Sequence, residues 1–507
     1  MARLSLKPDS SFFRKIAVGA VGTRAVREDL EKHGHDVQEL ERGSLDTKIW
    51  KDVKRKRVRI PDLICIKCGL RVESRAKTAA KLSMSHSDEE ERAWDYGMVD
   101  ADLVAFPVCE ADDEAYWSTG LLTQQVSYWH ERNWVRWNAK PFINYLLTRN
   151  FRTAAFVKEK PKGVTEGSET IISWPSRFSS ISGYVDLIEN HRLVIKPVSG
   201  ARQPVKFGTG AFPVVKLGER VSENQLLVST VIPERSLTCG GTLTDGYMHS
   251  LISSRERTQR FTGVKLARLN KNGLHAAAIR DLESDPEEDV YIRLEAAAYR
   301  AGVLGEPAAK VFSPYLDSSD EQRKLEAVIA LGESKAPDAV GLLSAILRSG
   351  KQPYFMRSAA AWCLGQIGGP KAATQLIQSF KDVDSNIRDE ALASLTAIRA
   401  DATAFLLAGL TDADASIAAG CAEALRRTAV PQAVIEEAVN QLRGPHPSPW
   451  TVWLLGNLPR RDVAPLIAEL QDQSPQLHYA LTLLWAFTES WIARRWEVLP
   501  KAVYPND

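Results

Sequence analysis

The sequence has 507 residues, 44% of them hydrophobic and 25% charged, and a formal net charge of +2. This length is enough for about three domains. The near-neutral balance excludes a grossly basic chain, so nucleic-acid binding would have to come from local patches. We find no secretory signal and no apolar stretch of membrane-spanning length, and the six cysteines are too scattered for a disulfide framework. We therefore expect a cytoplasmic protein without membrane association.

Residues 59–77 predict a β-hairpin, because two apolar runs flank Lys67-Cys68-Gly69. A tight turn at Lys67-Cys68 pairs Leu63 with Val72 and Asp62 with Glu73. Since side chains alternate along a strand, the apolar face of this hairpin comprises Leu63, Cys65, Leu70 and Val72. The polar face comprises Asp62, Arg71, Glu73, Arg75 and Lys77.

The polar face places two carboxylates, Asp62 and Glu73, side by side, and they repel each other unless a cation lies between them. A hard divalent metal such as Mg²⁺ or Mn²⁺ is one candidate, since such ions take oxygen ligands. Arg75 and Lys77 are another source of positive charge, in which case the hairpin is an exposed, salt-bridged structural element.

Pro61-Asp62, followed by Glu73 and a basic residue, resembles the PD-(D/E)xK signature of the restriction-endonuclease-like nuclease superfamily. The core of that family is a helix, a three-strand meander, a second helix and a fourth strand. We predict these elements, in the same order, at residues 22–34, 35–42, 59–77 (the hairpin), 88–98 and 102–109.

The resemblance implies metal-dependent hydrolysis of a nucleic-acid phosphodiester. Asp62 and Glu73 would bind Mg²⁺ or Mn²⁺, Glu28 on the first helix would add a carboxylate, and a basic residue would orient the attacking water. The family usually has lysine two residues after the glutamate, but Arg75 occupies that position, and arginine does not give up its proton. Either Lys77 has taken the role, or the domain binds nucleic acid without cutting it.

A basic run at residues 48–59 lies between the first two predicted strands. Next to a nuclease-like hairpin it predicts contacts to a phosphate backbone, with DNA favoured over RNA. On its own, the run is more typical of a solvated loop. The candidate nucleic-acid-binding residues are Lys51, Lys54, Arg55, Lys56 and Arg57.

Cys65-Ile-Lys-Cys68-Gly69 also has the spacing of half a zinc-ribbon site, in which a hairpin turn aims two thiolates at one Zn²⁺. A full site needs two more ligands, for which His86, Cys109 and Cys239 are isolated candidates. Alternatively, Cys65 is a small buried thiol of the core.

Beyond an aromatic-rich, partly helical extension up to residue 150, short β-rich runs separated by Gly, Asn, Pro and Ser predict a small barrel or sandwich over residues 151–265.

From 266 to 507 the helical pattern repeats. Four basic residues recur at spacings of 31, 33 and 31, and each is followed three residues later by alanine; they are Arg293, Lys324, Arg357 and Arg388. These residues resemble HEAT-like repeats, which implies a scaffold that binds a protein partner.

The sequence therefore predicts a multidomain chain with a restriction-endonuclease-like α/β domain at 1–150, a β-rich domain at 151–265 and an all-α HEAT-like solenoid at 266–507. Two functional hypotheses follow. The first is a metal-dependent nuclease in nucleic-acid processing or prokaryotic defence. The second is a non-catalytic scaffold or adaptor that binds protein or DNA through an inactive nuclease-like domain.

Overall fold

A computed structural model describes residues 10–40, 58–90, 93–112, 136–160, 169–398, 400–428, 432–442 and 448–456. The chain divides into two compact units, residues 1–270 (with 503–507) and residues 271–502. The predicted boundary at 150 thus lies inside the first unit. Among the described residues, no helix combines the length and hydropathy needed to cross a membrane.

The first unit begins with a long helix and is otherwise rich in short strands. In chain order its elements are α1 (Ser10–Lys32), β1 (Val37–Glu39), β2 (Leu63–Cys65), β3 (Arg71–Ser74), β4 (Ser83–Ser87), β5 (Leu103–Phe106), β6 (Cys109–Asp112), β7 (Arg136–Ala139), β8 (Asn144–Leu147), α2 (Thr148–Thr153), β9 (Val157–Glu159), β10 (Glu169–Ser173), β11 (Ser176–Phe178), β12 (Gly183–Glu189), β13 (Arg192–Lys196), β14 (Gln203–Lys206), β15 (Phe212–Pro213), β16 (Arg220–Val221), β17 (Leu226–Ser229), β18 (Pro233–Glu234), α3 (Asp245–Ile252) and α4 (Arg257–Leu269).

The largest sheet has the strand order β1-β2-β3-β5-β8-β18. Strands β2 and β3 form the predicted antiparallel hairpin, and Leu63 lies opposite Val72 as predicted. Strand β5 pairs with β3 in parallel, whereas β1 and β8 pair with their neighbours antiparallel. The helix, the meander and the fourth strand were thus predicted in the right order.

Both faces of this sheet are buried. On one face, Val26 and Leu30 of α1 pack against Leu63 and Val72. On the other face, Val104 belongs to a second core built around Trp94, Phe151 and Trp174, whose rings meet edge to face. Because Asp62 and Glu73 alternate with Leu63 and Val72, they point toward this second, covered face.

The second helix predicted at 88–98 is wrong where the structure describes this segment. Strand β4 is followed by bends and turns over 93–98. Gly97 has φ +80°, and a Cβ there would lie 1.9 Å from the carbonyl oxygen of Arg59, so the chain must leave the helical conformation. Burial of Trp94, which is 7% exposed, overrides the helix-favouring charges around it.

The β-rich region follows the prediction closely. The short strands β9 to β18 all lie within residues 151–265, the range predicted to be β-rich. Strands β14-β13-β12-β16 form one antiparallel sheet and β11-β17-β15 another. Val185, Leu193, Ile195 and Val228 are among the residues that form their shared core.

The second unit is helical. Its α-helices are α5 (Ala276–Ser284), α6 (Val290–Gly302), α7 (Ala308–Leu316), α8 (Glu321–Ser334), α9 (Ala339–Arg348), α10 (Tyr354–Ile367), α11 (Gly369–Gln378), α12 (Ser385–Ile398), α13 (Ala400–Gly409), α14 (Ala415–Arg427), α15 (Gln432–Leu442) and α16 (Pro449–Gly456). The even-numbered helices from α6 to α16 stack on one another, and the odd-numbered helices from α7 to α15 form a second layer. This is the two-layer helical solenoid that the repeat predicted.

Small residues set the spacing within the even-numbered layer. A Cβ on Gly332 of α8 would lie 2.4 Å from the Cβ of Cys363 in α10, and one on Gly365 would lie 2.6 Å from the Cβ of Ser394 in α12. Only glycine permits this approach of the helices. Trp450 and Trp453 are buried in α16, the last helix that the structure describes.

Candidate metal centre

The carboxylate hairpin already has protein partners for its charges. Glu73 Oε1 forms an ion pair with Arg75 Nη2 at 2.8 Å. Asp62 Oδ2 accepts a hydrogen bond from the backbone N–H of Ser74 at 2.7 Å. Arg75 also donates to the carbonyl oxygen of Trp94 at 3.3 Å. These contacts correspond to the salt-bridged interpretation of the hairpin.

Lys77 lies just beyond β3, where its backbone N–H donates to the carbonyl oxygen of Pro107 at 2.9 Å. Burial, together with the positive charges of Arg75 and Lys81, lowers the pKa of Lys77 to about 8. An amine with this pKa exchanges protons near neutral pH, as the basic residue of a hydrolytic site must.

The structure does not bring Glu28 to the two hairpin carboxylates. Glu28 is exposed on α1, and α1 packs on the opposite face of the sheet through Val26 and Leu30. The candidate nucleic-acid-binding residues Lys51, Lys54, Arg55, Lys56 and Arg57 lie outside the described residues.

A different cluster has the composition of a metal centre. The ligand atoms of His35, Cys65, Cys68 and Cys239 all lie within 4.8 Å of one another. In the described part of the chain, this is the one group of three or more His, Cys, Asp or Glu side chains so arranged. His35 and Cys65 are buried, and Cys68 and Cys239 are partly buried.

Three separate segments position these side chains. His35 follows the end of α1, after Gly34 at φ +87°. Cys65 ends β2, and the turn to Cys68 is closed by a hydrogen bond from Gly69 N–H to the Cys65 carbonyl at 2.8 Å, with Gly69 at φ +78°. The third segment, which carries Cys239, is held by a hydrogen bond from its N–H to the carbonyl oxygen of His33 at 3.0 Å.

Hydrogen bonds fix the ring of His35 and polarise the thiols. The Nε2 atom of His35 lies 2.8 Å from the carbonyl oxygen of Leu237; a carbonyl only accepts, so Nε2 carries the proton and Nδ1 presents a lone pair. That Nδ1 lies 3.6 Å from Cys68 Sγ. A hydrogen bond from Cys68 lowers the pKa of Cys65 to about 4, and the same bond raises the pKa of Cys68.

The sequence had identified three of these four residues. Cys65 and Cys68 were expected from their spacing and Cys239 was one of the isolated candidates. The other two candidates lie elsewhere: Cys109 is buried with its thiol on the carbonyl oxygen of Val18, and the Nδ1 atom of His86 accepts from the N–H of Trp94. His35 was missed, although the pairing of β1 with β2, with Val37 opposite Cys65, places it beside the turn.

The family model for HEAT repeats matches residues 308–396, which span α7 to most of α12. No curated protein matches the chain in sequence. The HEAT repeats predicted for the C-terminal part are thus confirmed.

Solved structures with a similar arrangement of helices include human deoxyhypusine hydroxylase in complex with glycerol (16% identity, 45% of this chain and 84% of that one, TM-score 0.19). They also include YibA of Escherichia coli (14% identity, 48% and 92%, TM-score 0.25) and the CpcE–CpcF complex of phycocyanin lyase from Nostoc sp. PCC7120 (18% identity, 46% and 96%, TM-score 0.23). The family match supports the HEAT portion of the chain, and none of the comparisons supports the nuclease-like prediction for the N-terminal part.

Proposed function

We propose that the chain is a scaffold or adaptor that binds a partner protein through its HEAT repeats. The observation that carries the proposal is the continuous two-layer array of helices, within which the HEAT family match falls. An array of this kind offers an extended surface whose shape is set by the repeated packing positions, so the exposed positions between them are free to define a partner.

Two of the four basic residues that recur in the array, Arg293 and Arg357, serve its structure, which favours a protein partner over a phosphate backbone. The Nε atom of Arg293 donates to the carbonyl oxygen of Glu283 at 2.9 Å, and Arg357 Nε donates to that of Leu347 at 2.7 Å. Arg357 also forms an ion pair with Asp382. Guanidinium groups used in this way tie one helix to the end of the preceding one and are not available as a basic stripe.

Photocrosslinking in cells tests the proposal. A photoreactive phenylalanine analogue replaces Tyr354 or Phe405 in the repeats, which are 44% and 37% exposed, or Tyr184 or Phe212 in the first unit, which are 47% and 43% exposed. We expect a discrete protein adduct from the repeat positions and none from the matched controls. Adducts of equal yield from all four positions, or adducts to nucleic acid alone, would contradict an adaptor that works through its repeats.

A metal-dependent nuclease is the second candidate function, and the order of the strands favours it. Strands β1, β2 and β3 form a three-strand meander and β5 follows as the fourth strand of the sheet, an order that the resemblance to PD-(D/E)xK nucleases implies. Asp62 and Glu73 would then bind Mg²⁺ or Mn²⁺ in place of the contacts they now make, with Lys77 as the basic residue.

Cleavage of labelled DNA and RNA with Mg²⁺ or Mn²⁺ tests this candidate. We expect Asp62→Ala, Glu73→Ala and Lys77→Ala to abolish cleavage, and Glu28→Ala, on the other face of the sheet, to leave it intact. Activity that persists in the carboxylate variants, or a wild type that never cuts, excludes the nuclease and leaves the adaptor.

A further inference from the structure

We propose that His35, Cys65, Cys68 and Cys239 together bind one Zn²⁺ in a closed site that stabilises the N-terminal unit. The site lies in a different unit from the HEAT repeats, so it goes beyond the adaptor function. It is also distinct from the hairpin carboxylates Asp62 and Glu73, because it contains no oxygen ligand.

The donor set selects the metal. Three sulfur atoms and one imidazole nitrogen suit a borderline-soft ion with no geometric preference of its own, and Cys₃His is one of the usual ligand sets of structural zinc. Mg²⁺ and Ca²⁺ require oxygen ligands, which this cluster does not offer. Binding of the metal displaces the thiol protons to solvent, and His35 contributes the lone pair of its Nδ1 atom.

The spacing of the ligand atoms fits a single ion. With Zn–S bonds of about 2.3 Å, a tetrahedron places its sulfur atoms about 3.8 Å apart. The four ligand atoms lie within 4.8 Å of one another, and Cys68 Sγ lies 3.6 Å from His35 Nδ1. Small side-chain rotations therefore bring all four onto one centre without movement of the backbone.

His35 already has the outer contact that a zinc-bound histidine needs. The proton on His35 Nε2 is held by the carbonyl oxygen of Leu237 at 2.8 Å, two residues before Cys239, so one segment orients the histidine and supplies a ligand. The backbone N–H of Cys65 donates to the carbonyl oxygen of Leu70 at 2.8 Å, which fixes the turn. Lys67, between the two cysteines of the turn, donates from its Nζ atom to the carbonyl oxygen of Gly34 at 3.1 Å, which joins the turn to the segment that carries His35.

The proposed role is structural because the protein supplies all four ligands, whereas a catalytic zinc keeps one position for water or substrate. The ion would join the end of α1, the β2–β3 turn and the segment around Cys239. His35 and Cys239 are 204 residues apart, so the bond would close a very long loop. The same three segments already share hydrogen bonds from Cys239 N–H to His33 and from Leu243 N–H to the carbonyl oxygen of Lys67 at 2.6 Å.

Metal analysis of the full chain, purified under reducing conditions without chelator, tests the proposal. We expect about one zinc per chain in the wild type, and in the matched controls Cys109→Ser and His86→Ala. Cys239→Ser, Cys68→Ser and His35→Ala should each lower the zinc content at least tenfold. Zinc that is retained in Cys239→Ser and His35→Ala would overturn the four-ligand site.

A second measurement, on the wild-type protein alone, tests the site even if the ligand variants fail to fold. Co²⁺ added to chelator-treated wild-type protein should produce the thiolate-to-cobalt charge-transfer and tetrahedral ligand-field absorption of a Cys₃His site, and zinc should displace it. A wild type that purifies without metal from zinc-supplemented cells and gives no such absorption would overturn the proposal, as would a Cys65–Cys68 disulfide under the same conditions. Either result leaves the photocrosslinks of the HEAT repeats unaffected, so the two proposals fail separately.

Discussion

The two units of this chain reach stability by different routes. In the HEAT array each helix contacts its neighbours in the stack. The same stabilising hydrogen bond, from an arginine side chain to a backbone carbonyl of the preceding helix, occurs at Arg293 and again at Arg357. In the N-terminal unit the decisive contacts are single and distant in sequence, such as the hydrogen bond from Arg71 to Thr262 and the cluster of His35 with Cys239. Damage to the array should therefore be local and similar from repeat to repeat, whereas damage to the first unit should be severe at a few positions.

The largest effect is expected from Arg71→Met in the first unit. Arg71 and Asp102 are each 3% exposed and form a bidentate pair, with Nε and Nη2 at 2.8 and 2.5 Å from the two carboxylate oxygens. Loss of the arginine leaves Asp102 as a buried, uncompensated charge, and we expect the free energy of unfolding to fall by about 3–5 kcal/mol. Urea unfolding of the full chain measures this.

Two further variants isolate the cause. The double variant Arg71→Met/Asp102→Leu should recover much of the loss, since no charge is then left buried. Arg27→Met, which removes the exposed pair of Arg27 with Glu31, should cost no more than about 0.5 kcal/mol. A loss of similar size in Arg27→Met would show that burial of the pair is not what matters.

The next effect in size is expected from Arg357→Met in the array. This change leaves the Leu347 carbonyl and the Asp382 carboxylate without their charged donor, at a cost of about 1.5–3 kcal/mol. Arg293→Met removes the equivalent bond to Glu283 and should cost a similar amount. The surface variant Lys381→Met, whose pair with Asp414 spans 3.6 Å, should change stability by less than about 0.5 kcal/mol. Unequal losses at Arg293 and Arg357 would break the analogy between repeats.

A smaller effect is expected from Gly332→Ala. The new Cβ would lie 2.4 Å from Cys363 Cβ, and overpacking of this kind costs about 1–3 kcal/mol. Gly341→Ala is the matched control, because nothing lies within 4 Å of its Cβ position; there the gain in helix propensity should stabilise the chain by up to about 1 kcal/mol. Thermal unfolding of both variants should show a lower melting temperature for Gly332→Ala and a higher one for Gly341→Ala than for the wild type. Equal shifts would show that propensity, not helix spacing, controls this position.

The repeats could be predicted from the sequence more completely than the first unit, because their contacts are close in sequence. The helical repeat period and the small residues at its packed positions were sufficient, since an alanine recurs on the packed face of successive repeats at Ala296, Ala327, Ala360 and Ala391. The hairpin register followed from the short turn at Lys67-Cys68. The metal cluster did not follow, since nothing near His35 in the sequence indicates that Cys239 lies beside it. The failed helix at 88–98 has the same cause: Trp94 is drawn into a core formed with Phe151 and Trp174, and local propensity yields to that burial.

The smallest effect is expected at Lys77, and its sign depends on pH. Burial lowers the pKa of Lys77 in the folded state to about 8, from 10.5, so the folded protein carries the full cost of the charge below pH 8. Between pH 8 and about 10.5 the unfolded chain binds more protons, and stability rises with pH. Lys77→Met should therefore raise the free energy of unfolding at pH 7 by about 1 kcal/mol, less than the full shift implies because the side chain is partly exposed.

Urea unfolding at pH 7 and pH 10 measures this gain. The control is Lys196→Met, at the exposed last residue of β13, which should change stability by less than about 0.5 kcal/mol at either pH. A gain that is equal at both pH values would come from the packing of methionine and not from removal of the charge. A gain that disappears by pH 10 would identify Lys77 as a charge that the fold retains against its own stability, as functional sites do. That outcome favours the nuclease candidate over a purely structural hairpin. Lys77 would then differ from Arg293 and Arg357 of the HEAT array, whose charged side chains stabilise the fold.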